Sequence, residues 1–338
     1  MKKIKTMFCF LPLIAVSLTS CGAGVTHEEK DYMIDIAYKS DFKVLQLSDI
    51  HLGQKDDLEK HYKFMDLTIN EANPDFIMLT GDLFTFANRR TMNSFFDYLE
   101  SKEIPWGVTW GNHDEQCDYS ISYMTGELNK RAEKDGSYCK FIDLQDDDVY
   151  GYANYVINLK DGTNTKFQFY VIDSNRYYYG DYMGYDYIHE DQIAWYERMV
   201  NYSKTQNGGT IVPSVAFFHI PVPEFQTAWD LYQEGSSEVI NNDTTGKLEN
   251  REDVCCPKIN TGFFDKVVEL GSTKALITGH DHINDSDLTY KGIRLVYGTK
   301  GTDRIYSDGD MLGGTTITIH NDGTIDVGRI FHTYEEVK

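Results

Sequence analysis

Five stretches of this 338-residue chain share one pattern: an apolar run that reads as a buried strand, followed at once by Asp, Asn or His. They are Leu47-Ser48-Asp49-Ile50-His51, Thr80-Gly81-Asp82, Trp110-Gly111-Asn112-His113-Asp114, Phe217-Phe218-His219 and Thr278-Gly279-His280-Asp281-His282. The first three follow strand candidates at 43–48, 75–80 and 105–110. Between those, 57–71 and 88–102 carry apolar residues at helical spacing. That βαβαβ order implies a parallel sheet with helices packed on it. Parallel strands put their carboxyl ends on one edge, where ligands of open α/β sheets bind. Segments far apart in sequence are therefore expected to converge.

Carboxylate, imidazole and amide oxygen are donors that divalent Zn, Mn or Fe accept. On an extended strand residues i and i+2 share a face, so Asp49/His51 and His280/His282 are expected to chelate from one side. Gly81, Gly111 and Gly279 each precede a donor group, where a side chain would obstruct a sharp turn and close backbone approach.

The rest of the chain reads as one compact domain over 42–338 with two sheets. Runs at 152–159 and 166–172 suggest a hairpin around Asp161-Gly162, and 192–204, 224–233 and 262–270 suggest helices. The loops expected to surround the site are 116–136, 176–189 and 235–260. Tyr177, Tyr178, Tyr179, Tyr182, Tyr185 and Tyr187 crowd the second of these. They are expected to form a surface loop or a β-edge packed over the core, with a substrate-stacking wall as the alternative. Asp281 and Asp285 read as loop and turn residues, or else as partners orienting an imidazole.

The first residues resemble an export signal. Lys2, Lys3 and Lys5 precede an apolar run, Met7 to Leu18, too short to span a bilayer, and Leu18-Thr19-Ser20-Cys21-Gly22 is similar to the lipobox of bacterial lipoproteins. The resemblance implies a signal peptide over 1–20, lipidation at Cys21, a linker over 21–41, and a protein held to the membrane only through its anchor, on the extracytoplasmic face. The formal charge of −21 makes the chain repel nucleic acid, so any phosphate must be drawn by local cations. Cys117, Cys139, Cys255 and Cys256 could form one or two disulfides, although adjacent Cys255 and Cys256 would bridge each other only with strain.

Taken together, the blocks DxH, GDxx, GNHD, H and GHxH resemble the calcineurin-like metallophosphoesterase superfamily, from about Phe42 to about Tyr306. The fold this implies is a four-layer α/β sandwich, two mixed β-sheets flanked by helices, with a dimetal site at the strand C-terminal ends. By the same resemblance Asp49, His51 and His282 would bind a first divalent ion, and Asn112, His219 and His280 a second. Asp82 would bridge them, and His113 would assist the leaving group as hydroxide activated by the ion pair attacks phosphorus. Phe217-Phe218-His219-Ile220-Pro221-Val222-Pro223-Glu224 and Asn260-Thr261-Gly262 are similar to the plant and fungal branch related to purple acid phosphatases. That family has a tyrosine where this chain has Thr85 and a glycine where it has His51. A purple ferric centre is therefore not expected, and Mn, Zn or ferrous ions suit the donors better. Relatives without the tyrosine are sometimes labelled inactive, yet every other ligand position here is filled.

The expected activity is hydrolysis of phosphate mono- or diesters outside the cytoplasm by a monomer. The competing expectations are a lipoprotein that captures a phosphate ligand without turnover and an extracellular nuclease. The latter is disfavoured by the missing basic stripe.

Overall fold

The structure, a computed structural model, describes residues 27–243 and 247–337. The signal-peptide segment and Cys21 lie outside the described residues. In chain order the strands are β1 (Met33–Ala37), β2 (Phe42–Leu47), β3 (Phe76–Thr80), β4 (Trp106–Thr109), β5 (Tyr155–Asp161), β6 (Asn164–Val171), β7 (Tyr177–Tyr179) and β8 (Met183–Tyr185). They continue with β9 (Ser214–Phe217), β10 (Val239–Asn241), β11 (Thr273–Thr278), β12 (Asp287–Tyr290), β13 (Ile293–Tyr297), β14 (Leu312–Ile319) and β15 (Ile325–His332). The α-helices are α1 (Leu58–Ala72), α2 (Arg89–Glu100), α3 (Ile121–Ala132), α4 (Glu190–Gln206), α5 (Glu224–Gln233) and α6 (Phe263–Leu270).

Two mixed sheets carry the fold. One has five strands in the order β15-β14-β2-β3-β4, with β2, β3 and β4 parallel. The other has eight, β1-β5-β6-β9-β11-β13-β12-β10, with a parallel centre from β6 to β13. Alternation along the eight-stranded sheet explains the layering. Phe167, Phe169, Val215, Phe217 and Ile277 enter the core shared with the first sheet, whereas Tyr170, Ala216 and Leu276 enter a second core beneath α4, α5 and α6. The Phe169 ring meets Phe42 and Phe76 of the first sheet at 6.3 and 5.8 Å. With α1 lying on β14, β15 and β2, the stack is helix, sheet, sheet, helix. The four-layer expectation holds.

Helix ends follow their caps. Asp57 accepts from Lys60 N at the start of α1, Asn73 closes it with φ of 44°, and Asn88 accepts from Thr91 N to open α2.

Two expectations need correction. Residues 21–41 were to be a linker, but Met33–Ala37 pairs in parallel with β5 and extends the larger sheet. The strand is short and only half-buried, and the polar residues on either side of it resembled a tether. The supposed loop 116–136 contains α3, capped by Ser120 and burying Ile121, Met124, Thr125 and Leu128 along one face. No disulfide joins the described cysteines.

Phe169 sits fully buried between the sheets. Phe169→Ala should destabilise the chain by about 3–5 kcal/mol, read as a lower urea midpoint. An unchanged midpoint would contradict the two-sheet core.

Candidate metal centre

The ends of β2, β3, β4, β9 and β11 point to one edge, and the loops that leave them carry all eight singled-out residues. The geometry there is not strand geometry. Asp49, His51, Asp82 and His280 have φ of 55°, 52°, 50° and 81°, so the donors project from left-handed turns beyond the strands rather than from alternate strand positions. A shared strand face is therefore not how these residues reach the site, and His280 and His282 fall in different donor groups. Backbone bonds hold these turns: Asp49 N donates to Gly81 O (3.1 Å) and His51 N to Asp82 O (2.8 Å). Gly81 is required, since its φ is 81° and an added Cβ would stand 2.7 Å from His219 Nδ1.

Two groups of donors form, and they share one member. Donor atoms of Asp49, His51, Asp82 and His282 lie within 4.8 Å of one another, as do those of Asp82, His219 and His280. Every one is buried. Asn112 lies on the loop after β4, next to Gly111, where an added Cβ would stand 2.3 Å from Asp82 N.

The outer atoms of these side chains are already committed. His219 Nδ1 donates to Thr80 O (2.7 Å) and His282 Nδ1 to Tyr306 O (2.9 Å), which leaves both Nε2 atoms as the inward-facing nitrogens. His51 Nδ1 meets Thr85 Oγ1 at 2.8 Å, and its Nε2 lies 2.9 Å from His282 Nε2. Asn112 Nδ2 donates to Tyr177 OH (2.8 Å), which turns its Oδ1 inward. Asp49 carboxylate accepts from His280 N.

Three buried atoms of these side chains make no hydrogen bond. Asp82 Oδ1 accepts from His113 N (2.7 Å). Asp82 Oδ2 has no hydrogen-bond partner, although His219 Nε2 lies 3.2 Å away and His51 Nε2 3.8 Å. Asn112 Oδ1 and His280 Nε2 are likewise buried and unpartnered. Orphaned acceptors beside facing imidazole nitrogens are costly unless a cation sits among them. The donor set of carboxylate, imidazole and amide oxygen fits two divalent ions that share Asp82.

Electrostatics agree. Burial lowers His51 well below its ordinary value and takes His280 to about 3 and His282 to about 2, so these rings are neutral and free to ligate. Burial would also lower His219, but the Asp82 charge outweighs it and raises the ring to about 10. Burial works in the opposite sense on Asp82, where the charged His219 holds the carboxyl well below its usual range. A proton on His219 thus stands where a cation would.

His113 lies at the open side, edge-on to His51 with 5.1 Å between centroids, and its Nδ1 meets Gln116 Oε1 at 2.9 Å. Asp114, the next residue, is structural: its carboxylate accepts from Phe84 N and Gly111 N, tying the Asp82 loop to the Asn112 loop. Asp281 accepts from Tyr297 OH and Cys255 N, and Asp285 from Lys247 N and Glu249 N. Both brace the 247–255 segment, as loop residues would.

Several contributors had no motif to reveal them. Lys300, fully buried, donates to Asp49 O (2.7 Å), while Thr302 Oγ1 donates to Ile50 O (2.7 Å). The tyrosine-rich stretch folds into the β7–β8 hairpin and lies against the site rather than the core. Tyr177 holds Asn112, and the Tyr185 ring meets His280 edge-on at 4.4 Å.

Comparison with known proteins gives a consistent picture. Residues 42–284 match the calcineurin-like phosphoesterase family. The chain is 26% identical over 326 residues to a protein of Arabidopsis thaliana named probable inactive purple acid phosphatase 29, covering 86% of this chain and 78% of the relative. It is 28% identical over 292 residues to the phosphatase DCR2 of Saccharomyces cerevisiae, covering 77% of this chain but only 48% of that protein. The crystal structure of a dimetal phosphatase from Danio rerio superposes with a TM-score of 0.54 at 13% identity, over 88% of this chain and all of the other. That last likeness is one of fold.

Because the Asp82 charge raises His219 above its ordinary range, cation uptake at neutral pH should expel a proton. Apparent affinity should then rise about tenfold per pH unit for each proton displaced, as isothermal titration at several pH values would show; pH-independent uptake would contradict the His219–Asp82 pairing. Tyr177→Phe should weaken binding of one ion of the pair by about 10- to 100-fold in the same titration, because Asn112 loses the bond that orients its amide.

Proposed function

Since the chain belongs to the calcineurin-like phosphoesterase family, we propose that it hydrolyses phosphate esters at a pair of divalent cations held by the seven donors. The observation that carries this reading is that Asp82 Oδ2 and Asn112 Oδ1 are buried without a hydrogen bond, with His219 Nε2 3.2 Å and His51 Nε2 3.8 Å from the former. Asp49, His51 and His282 would hold one ion, Asn112, His219 and His280 the other, and Asp82 both. Mn, Zn or ferrous ions suit such donors. When bound, the ions would supply Lewis acidity toward a phosphoryl group and toward water.

The chain's own groups supply the rest. Gln116 accepts from His113 Nδ1, so Nε2 is the nitrogen left to face an ester. In its protonated form that ring gives a proton to the departing oxygen and stabilises developing charge. The His113 backbone N–H fixes Asp82 Oδ1, so the ring and the shared carboxylate keep one spacing. Seven neutral or anionic donors also collect cations on a chain of formal charge −21, which gives a phosphate a local attraction that the surface denies it.

We place this activity outside the cytoplasm, with the chain tethered through lipid on Cys21. The reading is supported by the basic residues, short apolar run and cysteine at the start of the sequence. Among the described residues no helix is long and apolar enough to cross a membrane.

The test offers metal-loaded protein p-nitrophenyl phosphate and its bis ester, with metal content measured alongside. Asp82→Ala should lose both ions and all turnover. His113→Ala should keep the ions and lose about 10²- to 10⁴-fold in rate. Turnover by Asp82→Ala would contradict the shared carboxylate. Two bound ions with no turnover by the wild type would point instead to a protein that captures a phosphate ligand without cleaving it.

A further inference from the structure

Exposed apolar side chains gather at the edge of the metal centre. Phe86, Tyr179, Met183, Ile305 and Tyr306 stand 65%, 71%, 79%, 49% and 47% exposed. They fall on three segments, and each segment is tied to a donor. Phe86 follows Thr85, whose hydroxyl meets His51. Ile305 precedes Tyr306, whose carbonyl accepts from His282 and whose ring stacks on that imidazole at 4.1 Å. Tyr179 and Met183 pair across the hairpin whose Tyr177 and Tyr185 touch Asn112 and His280.

Two of these residues are displayed against a conformational cost. Phe86 has φ of 52° and Ile305 of 67°. A bulky ring and a β-branched side chain are outliers in the left-handed region. Neither side chain recovers the cost by burial, because both stand in water. The two positions share a buttress: Arg304 pairs with Asp56 at 2.7 Å, Asp56 accepts from Gly53 N, and Gln54 N donates to Phe86 O. Strain and apolar exposure both oppose stability, and here both occur beside the donors, as at a site built to bind.

We infer that the site takes phosphate esters whose leaving alcohol is apolar, with the alcohol lying on the rim formed by Phe86, Ile305, Tyr306 and the hairpin. The inference rests on the phosphoesterase reading. In the step, an oxygen from water bonds to phosphorus, the ester P–O bond breaks, and the alkoxide takes the His113 proton to leave as an alcohol. The water's own proton passes to solvent. An alkyl or aryl group gains by leaving water for the rim, whereas a glycerol or sugar group does not.

The test is a series of ethyl, butyl and hexyl phosphates, as monoesters and as methyl diesters, below the concentration at which they aggregate. Manganese-loaded full-length protein is used. The alcohols have similar acidity, so the chemical step is constant and chain length reports contact. kcat/KM should rise with length by up to about fourfold per methylene laid on the rim, giving at least a tenfold preference for hexyl over ethyl. Phe86→Asn with Ile305→Asn removes the apolar surface while keeping residues that tolerate the left-handed turn. In that double variant the hexyl-to-ethyl ratio should fall several-fold with no loss of melting temperature. Met183→Ser, on a separate segment, should lower the ratio even if the double variant folds poorly. A flat wild-type series, or a ratio that survives all three substitutions, would overturn the inference while leaving the phosphoesterase reading intact. No cleavage of the alkyl series by protein that still hydrolyses p-nitrophenyl phosphate would overturn the inference alone; cleavage of neither, with both ions bound, would remove that reading and the inference with it.

Discussion

The carboxylate of Asp82 is the point on which the molecule turns. It is buried, one oxygen is held by the His113 backbone, and the other faces imidazoles without a hydrogen bond. A charge so placed is destabilising unless something positive compensates it. In the protein alone a proton on His219 does so; with ions bound, the ions do. Much of the surrounding structure serves to keep this arrangement rigid. Thr80 and Tyr306 carbonyls, the Thr85 hydroxyl and the Tyr177 phenol each occupy the outer atom of a donor, so the inner atom is presented at one angle.

The two-sheet architecture explains how residues so far apart reach one place. Parallel strands of both sheets end on the same edge, and packing of Phe169 against Phe42 and Phe76 fixes one sheet relative to the other. The donors then leave the strands through left-handed turns at Asp49, His51, Asp82 and His280. Such backbone costs about 1–3 kcal/mol per residue, and it persists because the turns are bonded to each other and to Lys300 and Thr302. The site is assembled at the expense of local stability, offset by the cores on either side of the larger sheet.

Much of this was legible in the sequence, for reasons that differ by element. Alternation of apolar strands and periodic helices announced the layers, and residue type at strand ends announced the donors. Donor geometry was not legible, because left-handed turns have no pattern beyond an adjacent glycine such as Gly81 or Gly279. Helix α3 carried its signal, Ser120 before Ile121, Met124, Thr125 and Leu128, yet its polar surroundings read as loop. Strand β1 is short and half-exposed, and only its pairing with β5 defines it. Tyr177 and Tyr185 stood out only as part of a tyrosine-rich loop expected near the site; which of its rings reach a donor, like the role of Lys300, is decided by tertiary contacts alone.

The most direct test of a site built around a shared carboxylate is an anomalous-scattering map from crystals grown with manganese. Two peaks are predicted on either side of Asp82, about 3.5–4 Å apart. One lies among Asp49, His51 and His282, the other among Asn112, His219 and His280. A single peak, or peaks away from Asp82, would contradict the account.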